Sequence, residues 1–350
     1  MKIYFIPLIT LLLFIAGCNS KSNIPRKPVT NIQITPANNT VTMGNEFTIT
    51  IESKITKPNV VDLEVYLNNR LIKKTSEINF QIPVDSDTLK TGKYSIKTIA
   101  KNSDGKIGIN FSSISVLSDI QPINQSYQII EILAHNTNNF TQGLEFYKGK
   151  LYEGTGNYAD SYIYVYNPST EKVYKSLKLD NQYFGEGITI LNDKLYQLTY
   201  KSKKGFVYNA TTLEKLNEFS FSSDEGWGLT NNGKYLIMSN GTSTITYINP
   251  FTFEIEKTIE VCTPTDFITN LNELEFVDGN IYSNIWTSQT IVKFEAETGK
   301  VLALINMDGL MSTFSNSRID VLNGIAYEKN ENLFYITGKW WPNLYKVKFQ

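Results

Sequence analysis

The chain has 350 residues and a formal net charge of −1. That balance excludes a broad basic field for nucleic acid or acidic lipid. Tyr (21) and Phe (19) are plentiful and β-branched residues recur. Long helix-period stretches are missing, which suits an all-β fold.

The N-terminus carries the most apolar run, Ile3 to Gly17, behind Lys2 and ending at Cys18. A short basic start and an apolar core of this length read as a secretory signal rather than a membrane span. The stretch "FIAGC" resembles a bacterial lipobox. That resemblance implies a signal peptide over 1–18 and a lipid on Cys18. The protein is then expected to be an exported lipoprotein, anchored to a membrane of the cell envelope. The alternative is an ordinary cleaved signal with a chance cysteine. Polar residues 19–28 would form a tether.

After Cys18 the one other cysteine is Cys262, so the mature chain has no intramolecular disulfide to make. Cys262 sits in the alternating stretch "IEVCTPT", where a buried, inert thiol is expected. His135 is the sole histidine. Ser-His-Asp and Cys-His nucleophile systems would depend on it alone, and a catalytic zinc normally draws on two or three histidines.

Residues 29–118 alternate polar and apolar in short runs with turn residues between them, as in "EFTITIES" and "VVDLEVYLNN". The spacing predicts a small immunoglobulin-like β-sandwich with no cluster of reactive groups. Residues 119–125 read as a linker. From 126 to 350 one pattern recurs, beginning "TQGLEFYKGKLYEGTG", "GEGITILNDKLYQLTY", "GWGLTNNGKYLIMSNG", "NELEFVDGNIYSNIWT" and "NGIAYEKNENLFYITG". The anchors Gly143, Gly187, Gly228, Glu273 and Gly324 lie 44, 41, 45 and 51 residues apart. Such a period, with four strands per unit, fits a β-propeller blade. The fifth unit has three strands, and "YQIIEILAH" (127–135) has the pattern of its fourth. Pairing the two closes a five-bladed β-propeller and removes its open edges.

The first strand of each blade lies nearest the axis of a propeller. The residues just before the anchors are Gln142, Glu186, Trp227, Asn272 and Asn323. Glu186, between two glycines, is thus the acid in a ring of amides and one indole. A partly desolvated carboxylate among donors is suited to proton transfer. Polar residues that merely hydrate a narrow channel are the alternative at this point.

At these residues the chain resembles the plant- and bacterial-type glutaminyl-peptide cyclotransferases. The stretches that carry the resemblance are "FTQGLEF", "FGEGIT", "DEGWGLT", "KYLIMSNGTSTI", "LNELEFVDGNIYSNIW", "DVLNGIAY" and "TGKWWPNLYKV". It covers roughly 126–350 and not the sandwich. It implies a five-bladed propeller that cyclises an N-terminal glutamine to pyroglutamate and releases ammonia, independently of zinc. Peptides and proteins with N-terminal Gln are the implied partners, and a monomer is expected. The resemblance makes Glu186 the catalytic acid and base. It makes Gln142, Asn272 and Lys339 pocket residues, with Phe140, Phe184, Trp227 and Trp286 as the aromatic wall.

No cofactor or metal is implied for the chemistry, though Glu145, Glu273 and Glu275 leave room for a structural calcium. Lys339 on a solvated rim and Trp286 within blade packing are the bland alternatives. Trp340 and Trp341 read as packing, and Glu225 as a support beside the ring. Tyr200 departs from the family's usual tryptophan, which affects the second substrate residue rather than the catalysis. A lipid-anchored, non-catalytic propeller that binds a peptide or glycan is the competing function. A metal-dependent hydrolytic propeller is a third.

Overall fold

The computed structural model describes residues 27–53, 59–311 and 319–350. The signal peptide, Cys18 and most of the tether lie outside the described residues.

The N-terminal strands form two sheets. One has three strands, Thr30–Thr35, Glu46–Ser53 and Asn79–Asp85, with Glu46–Ser53 in the middle. The other runs in the order Thr40–Thr42, Ile107–Leu117, Gly92–Asn102, Val60–Leu67 and Arg70–Thr75. Thr40–Thr42 pairs parallel with Ser115–Leu117. Alternation sets the core. Phe47, Ile49 and Ile51 are buried from one sheet, and Leu63, Val65 and Ile96 from the other. The Thr30 and Thr98 hydroxyls meet at 2.6 Å between the two sheets.

Backbone contacts divide the chain elsewhere than at the expected 118/119 boundary. One unit gathers Ile51–Phe80 and Lys97–Phe111 with the residues up to Ile32; the other holds Gln33–Thr50, Gln81–Ile96 and Ser112–Gln350. The expected linker also differs. Its residues Ile123–Asn124 pair parallel with Ala303 and Leu304 as a fifth strand on a later sheet. Their backbone groups thereby find partners that a free linker would leave to water.

Five antiparallel sheets follow. The first is Thr141–Tyr147, Lys150–Thr155, Tyr162–Tyr166 and Val173–Lys178. The second runs from Gly185–Leu191 to Lys215–Ser220, the third from Leu229–Asn231 to Ile255–Glu260, and the fourth from Leu271–Val277 to Val301–Asn306. The fifth has Leu322–Glu328, Leu333–Gly338 and Asn343–Phe349 in order. Its outer strand is Tyr127–Ala134, antiparallel to Asn343–Phe349. This is the closure expected from the missing fourth strand.

The apolar clusters lie between successive sheets and go full circle. Ile163 and Val165 of the first sheet pack with Ile188 and Leu195 of the second. Leu198 of the second packs with Leu236 of the third, and Ile245 of the third with Leu274 of the fourth. Ile291 of the fourth packs with Ile336 and Trp341 of the fifth, and Ala326 and Tyr335 of the fifth with Leu144 and Leu151 of the first. Each such buried Leu or Ile contributes roughly 1.5–3 kcal/mol. Since the fifth cluster returns to the first sheet, the sheets are blades of one ring.

The inner strands approach closely. A Cβ on Gly228 would lie 2.0 Å from the Asn272 carbonyl oxygen. The Gly187 N–H donates to the Trp227 oxygen at 2.8 Å, across from blade 2 to blade 3. Glycine at these anchors lets neighbouring backbones touch.

Candidate active site

The polar ring is built by a repeated irregularity. In blade 1 the pairing runs Thr141↔Thr155 and then Gly143↔Gly154, which leaves Gln142 as an extra residue. The same shift occurs between Gly185 and Ile188, between Leu271 and Leu274, and between Leu322 and Ile325. Glu186, Asn272 and Asn323 fall in these bulges. A β-bulge bends the strand and re-aims a side chain. In blade 3 Trp227 precedes a short strand, held by its N–H on the Ser239 oxygen at 3.1 Å.

The ring opens into a cavity of about 480 Å³, within the usual range for ligand pockets. All eight residues expected at the site line it: Glu186, Gln142, Asn272 and Lys339, with Phe140, Phe184, Trp227 and Trp286. Tyr200 and Glu225 line it too, as do Thr287, Asp320 and Val321, which the sequence did not point to. Those three sit in connections rather than in the repeat register, so periodicity carried no signal for them. Asp320 and Val321 directly precede an inner strand, and that adjacency was the available clue.

Glu186 is 4% exposed. Its Oε1 lies 3.4 Å from the Gln142 Nε2, which donates to it. Burial pushes its carboxyl well above the ordinary range; the Lys339 charge opposes this and Glu225 reinforces it. Lys339 is 5% exposed, not a solvated rim lysine. Burial draws its ammonium below the ordinary value, opposed by Glu186 and Asp320. Its Nζ lies 4.6 Å from the Phe140 ring centroid, a cation–π contact.

Aromatic contacts run round the wall. Phe140 meets Phe184 edge-on at 6.2 Å and Trp340 at 4.7 Å. Phe184 packs against Tyr200 at 5.6 Å, and Trp227 meets Trp286 edge-on at 5.6 Å. Trp286 is 42% exposed and stands at the mouth rather than in blade packing. Trp341 is fully buried core, as expected, and Trp340 backs the wall. The Trp227 Nε1 donates to Glu225 at 2.9 Å, and Lys201 lies 3.4 Å from the other Glu225 oxygen.

Further along the inner strands, three carboxyls tie blades together, Glu273 and Glu275 buried and Glu145 half-buried. Glu273 accepts the Leu144 N–H at 3.2 Å on one oxygen and the Ile325 N–H at 2.8 Å on the other. Glu275 accepts the Tyr327 N–H at 2.8 Å, and Glu145 accepts the Thr189 hydroxyl at 2.9 Å. Burial raises all three, Glu145 to about 7. These carboxyls serve blade N–H and O–H groups, and among the described residues no group of three His, Cys, Asp or Glu side chains is placed to hold a metal.

Their roles separate on substitution. Glu273→Gln is expected to cost about 1–3 kcal/mol, because one of the two N–H groups then faces an amide N–H₂. Glu275→Gln keeps its single acceptor and is expected to be neutral near pH 5. A carboxyl raised in the folded state costs stability as pH rises past its unfolded value. Glu275→Gln should therefore be more stable than the wild type at pH 8. Urea denaturation at the two pH values checks both.

The family model described as glutamine cyclotransferase matches residues 108–349. The chain belongs to the glutamine cyclotransferase family. The match holds the whole site and starts inside the strand Ile107–Leu117, earlier than the 126–350 of the sequence resemblance. A glutaminyl-peptide cyclotransferase of Arabidopsis thaliana is 36% identical over 229 residues, 63% of this chain and 71% of that protein. The crystal structure of a Myxococcus xanthus glutaminyl cyclase superposes with a TM-score of 0.61 and 30% identity. It covers 66% of this chain and 99% of that one.

Proposed function

We infer that this protein is a glutaminyl-peptide cyclotransferase whose cavity closes an N-terminal glutamine on its own amine. Family membership supports the reaction. The observation that carries the mechanism is one buried carboxyl, Glu186, at the bottom of an amide- and aromatic-lined cavity.

The α-amine must be neutral to attack the side-chain amide carbon, and a free α-amine titrates near pH ~8. A carboxyl raised by burial has a proton affinity closer to that of the amine, so a proton passes between them at small cost. The amine nitrogen attacks Cδ and its surplus proton goes to Glu186. Glu186 protonates the departing amide nitrogen, the Cδ–N bond breaks and ammonia leaves. Asn272 and Lys339 offer donors to the tetrahedral oxygen. The aromatic wall folds the side chain back on its amine, which supplies much of the effective concentration. The reaction as drawn routes no step through a metal.

Ammonia release from short Gln-initiated peptides, with and without chelator, tests this. Release that survives chelation is the expected result; saturable binding without ammonia would reject the reading. Trp286→Ala should raise KM about tenfold, roughly 1.4 kcal/mol, with kcat little changed, because a mouth residue holds ground and transition states alike. Steady-state kinetics on one peptide checks that.

Two further readings rest on the sequence. Export with lipid on Cys18 is one, tested by mass spectrometry of the membrane-bound mature protein. An immunoglobulin-type module at the N-terminus is the other, supported by the strand order of its two sheets.

A further inference from the structure

We propose that Asn323 is a positioning residue that fixes which oxygen of Glu186 exchanges the proton with substrate. Asn323 is fully buried in the bulge of blade 5. One of its amide atoms lies 2.9 Å from the Thr141 backbone oxygen. A backbone carbonyl only accepts, so that atom is the donor Nδ2. The same Nδ2 lies 3.2 Å from the Gln142 side chain, and the atom it meets there must be the acceptor Oε1. Gln142 is thereby turned with its Nε2 toward Glu186 Oε1, at 3.4 Å.

Amide side chains otherwise have two orientations of nearly equal shape. Flipping Asn323 and Gln142 together would keep their mutual bond. It would, however, set two oxygens against each other at Thr141. One backbone carbonyl thus selects the orientation of both amides.

The consequence reaches the chemistry, given the cyclotransferase function proposed above. The Glu186 oxygen that accepts an N–H carries the carbonyl character, so the acid proton belongs on Oε2. Starting as the carboxylate, Glu186 takes the proton from the attacking amine on Oε2 as the Nα–Cδ bond forms. It returns that proton to the amide nitrogen as the Cδ–N bond breaks and ammonia departs. If Gln142 turned over, its oxygen would face Glu186 Oε1 and draw the proton there, away from the reacting nitrogens.

The test is a double-mutant cycle on the full chain, read as kcat and KM for ammonia release from a Gln-initiated peptide. Asn323→Ala should lower kcat about tenfold or more with KM near wild type. Gln142→Leu should do likewise, and the double variant should be no slower than the slower single. Should Asn323→Ala fail to fold, the isosteric Asn323→Asp takes its place, since its carboxyl has no N–H₂ to hold Gln142. Wild-type kcat in either Asn323 variant overturns the proposal, and so do losses that multiply in the cycle, because Asn323 would then act other than through Gln142. A wild-type chain that releases no ammonia would overturn the cyclotransferase function, and with it this role.

Discussion

Glu186→Gln is expected to lower turnover about a hundred- to ten-thousand-fold, the usual contribution of a positioned acid–base group. The amide keeps the shape and can still accept from Gln142, but it can neither take the amine proton nor protonate the leaving nitrogen. Peptide binding should survive, because the aromatic wall and Lys339 are untouched. Stability should hold or rise. The folded carboxyl is raised by burial above its ordinary 4.5. A raised acid costs the folded state increasingly as pH climbs past the unfolded value, and Gln removes that cost. At pH 8 the variant should therefore melt at or above the wild type while releasing almost no ammonia. Near-normal release would remove Glu186 from the mechanism.

The second large effect lies at the seam between blades 5 and 1. His135 and Glu153 form a buried pair at 3.0 Å, their side chains 1% and 0% exposed. The other His135 nitrogen lies 2.7 Å from the Trp341 carbonyl oxygen. Both ring nitrogens face acceptors, which calls for the charged imidazolium. Glu153 also accepts from Asn139 at 2.8 Å and Thr141 at 2.7 Å. Burial opposes both charges, but the partners prevail and hold His135 above its ordinary value and Glu153 below.

Replacing either by Leu strands the other in the core, at an expected cost of about 3–5 kcal/mol. Urea denaturation should show a lower midpoint at unchanged slope. A raised histidine contributes fully below its unfolded value of 6.5 and loses that contribution as pH rises through its folded value. A lowered glutamate contributes above its unfolded 4.5 and loses it as pH falls. The penalty should thus be largest between about pH 4.5 and 6.5. A midpoint equal to wild type in that window would reject the pair as a stabilising element.

The ring and its acid were legible because both follow from a period. Gln142, Glu186, Asn272 and Asn323 stand at one offset from their anchors, and a fixed offset in a repeat becomes a fixed place around an axis. The bulges that aim them were not legible, since a bulge appears only when two strands are set in register. His135 was read only as an argument against other chemistries; its partner Glu153 is 18 residues away in a different blade. Asp320, Val321 and Thr287 stand in connections outside any period. The strand at 123–124 read as linker because two residues carry no alternation, and its pairing depends on an edge supplied some 180 residues later. The resemblance placed Lys339 in the pocket, but its burial needed the structure: a lysine ending a strand is usually solvated, and here Phe140 and Asp320 lie beside it.

The strand Tyr127–Ala134 and the strand Asn343–Phe349 are partners at opposite ends of the repeated region. A ribosome makes the first long before the second. Until Asn343–Phe349 emerges, the earlier strand has no mate and the fifth sheet lacks its outer strand. A nascent chain can therefore build four sheets and still be open. Closure of the ring thus waits on Asn343–Phe349, the strand that joins Tyr127–Ala134 to the fifth sheet.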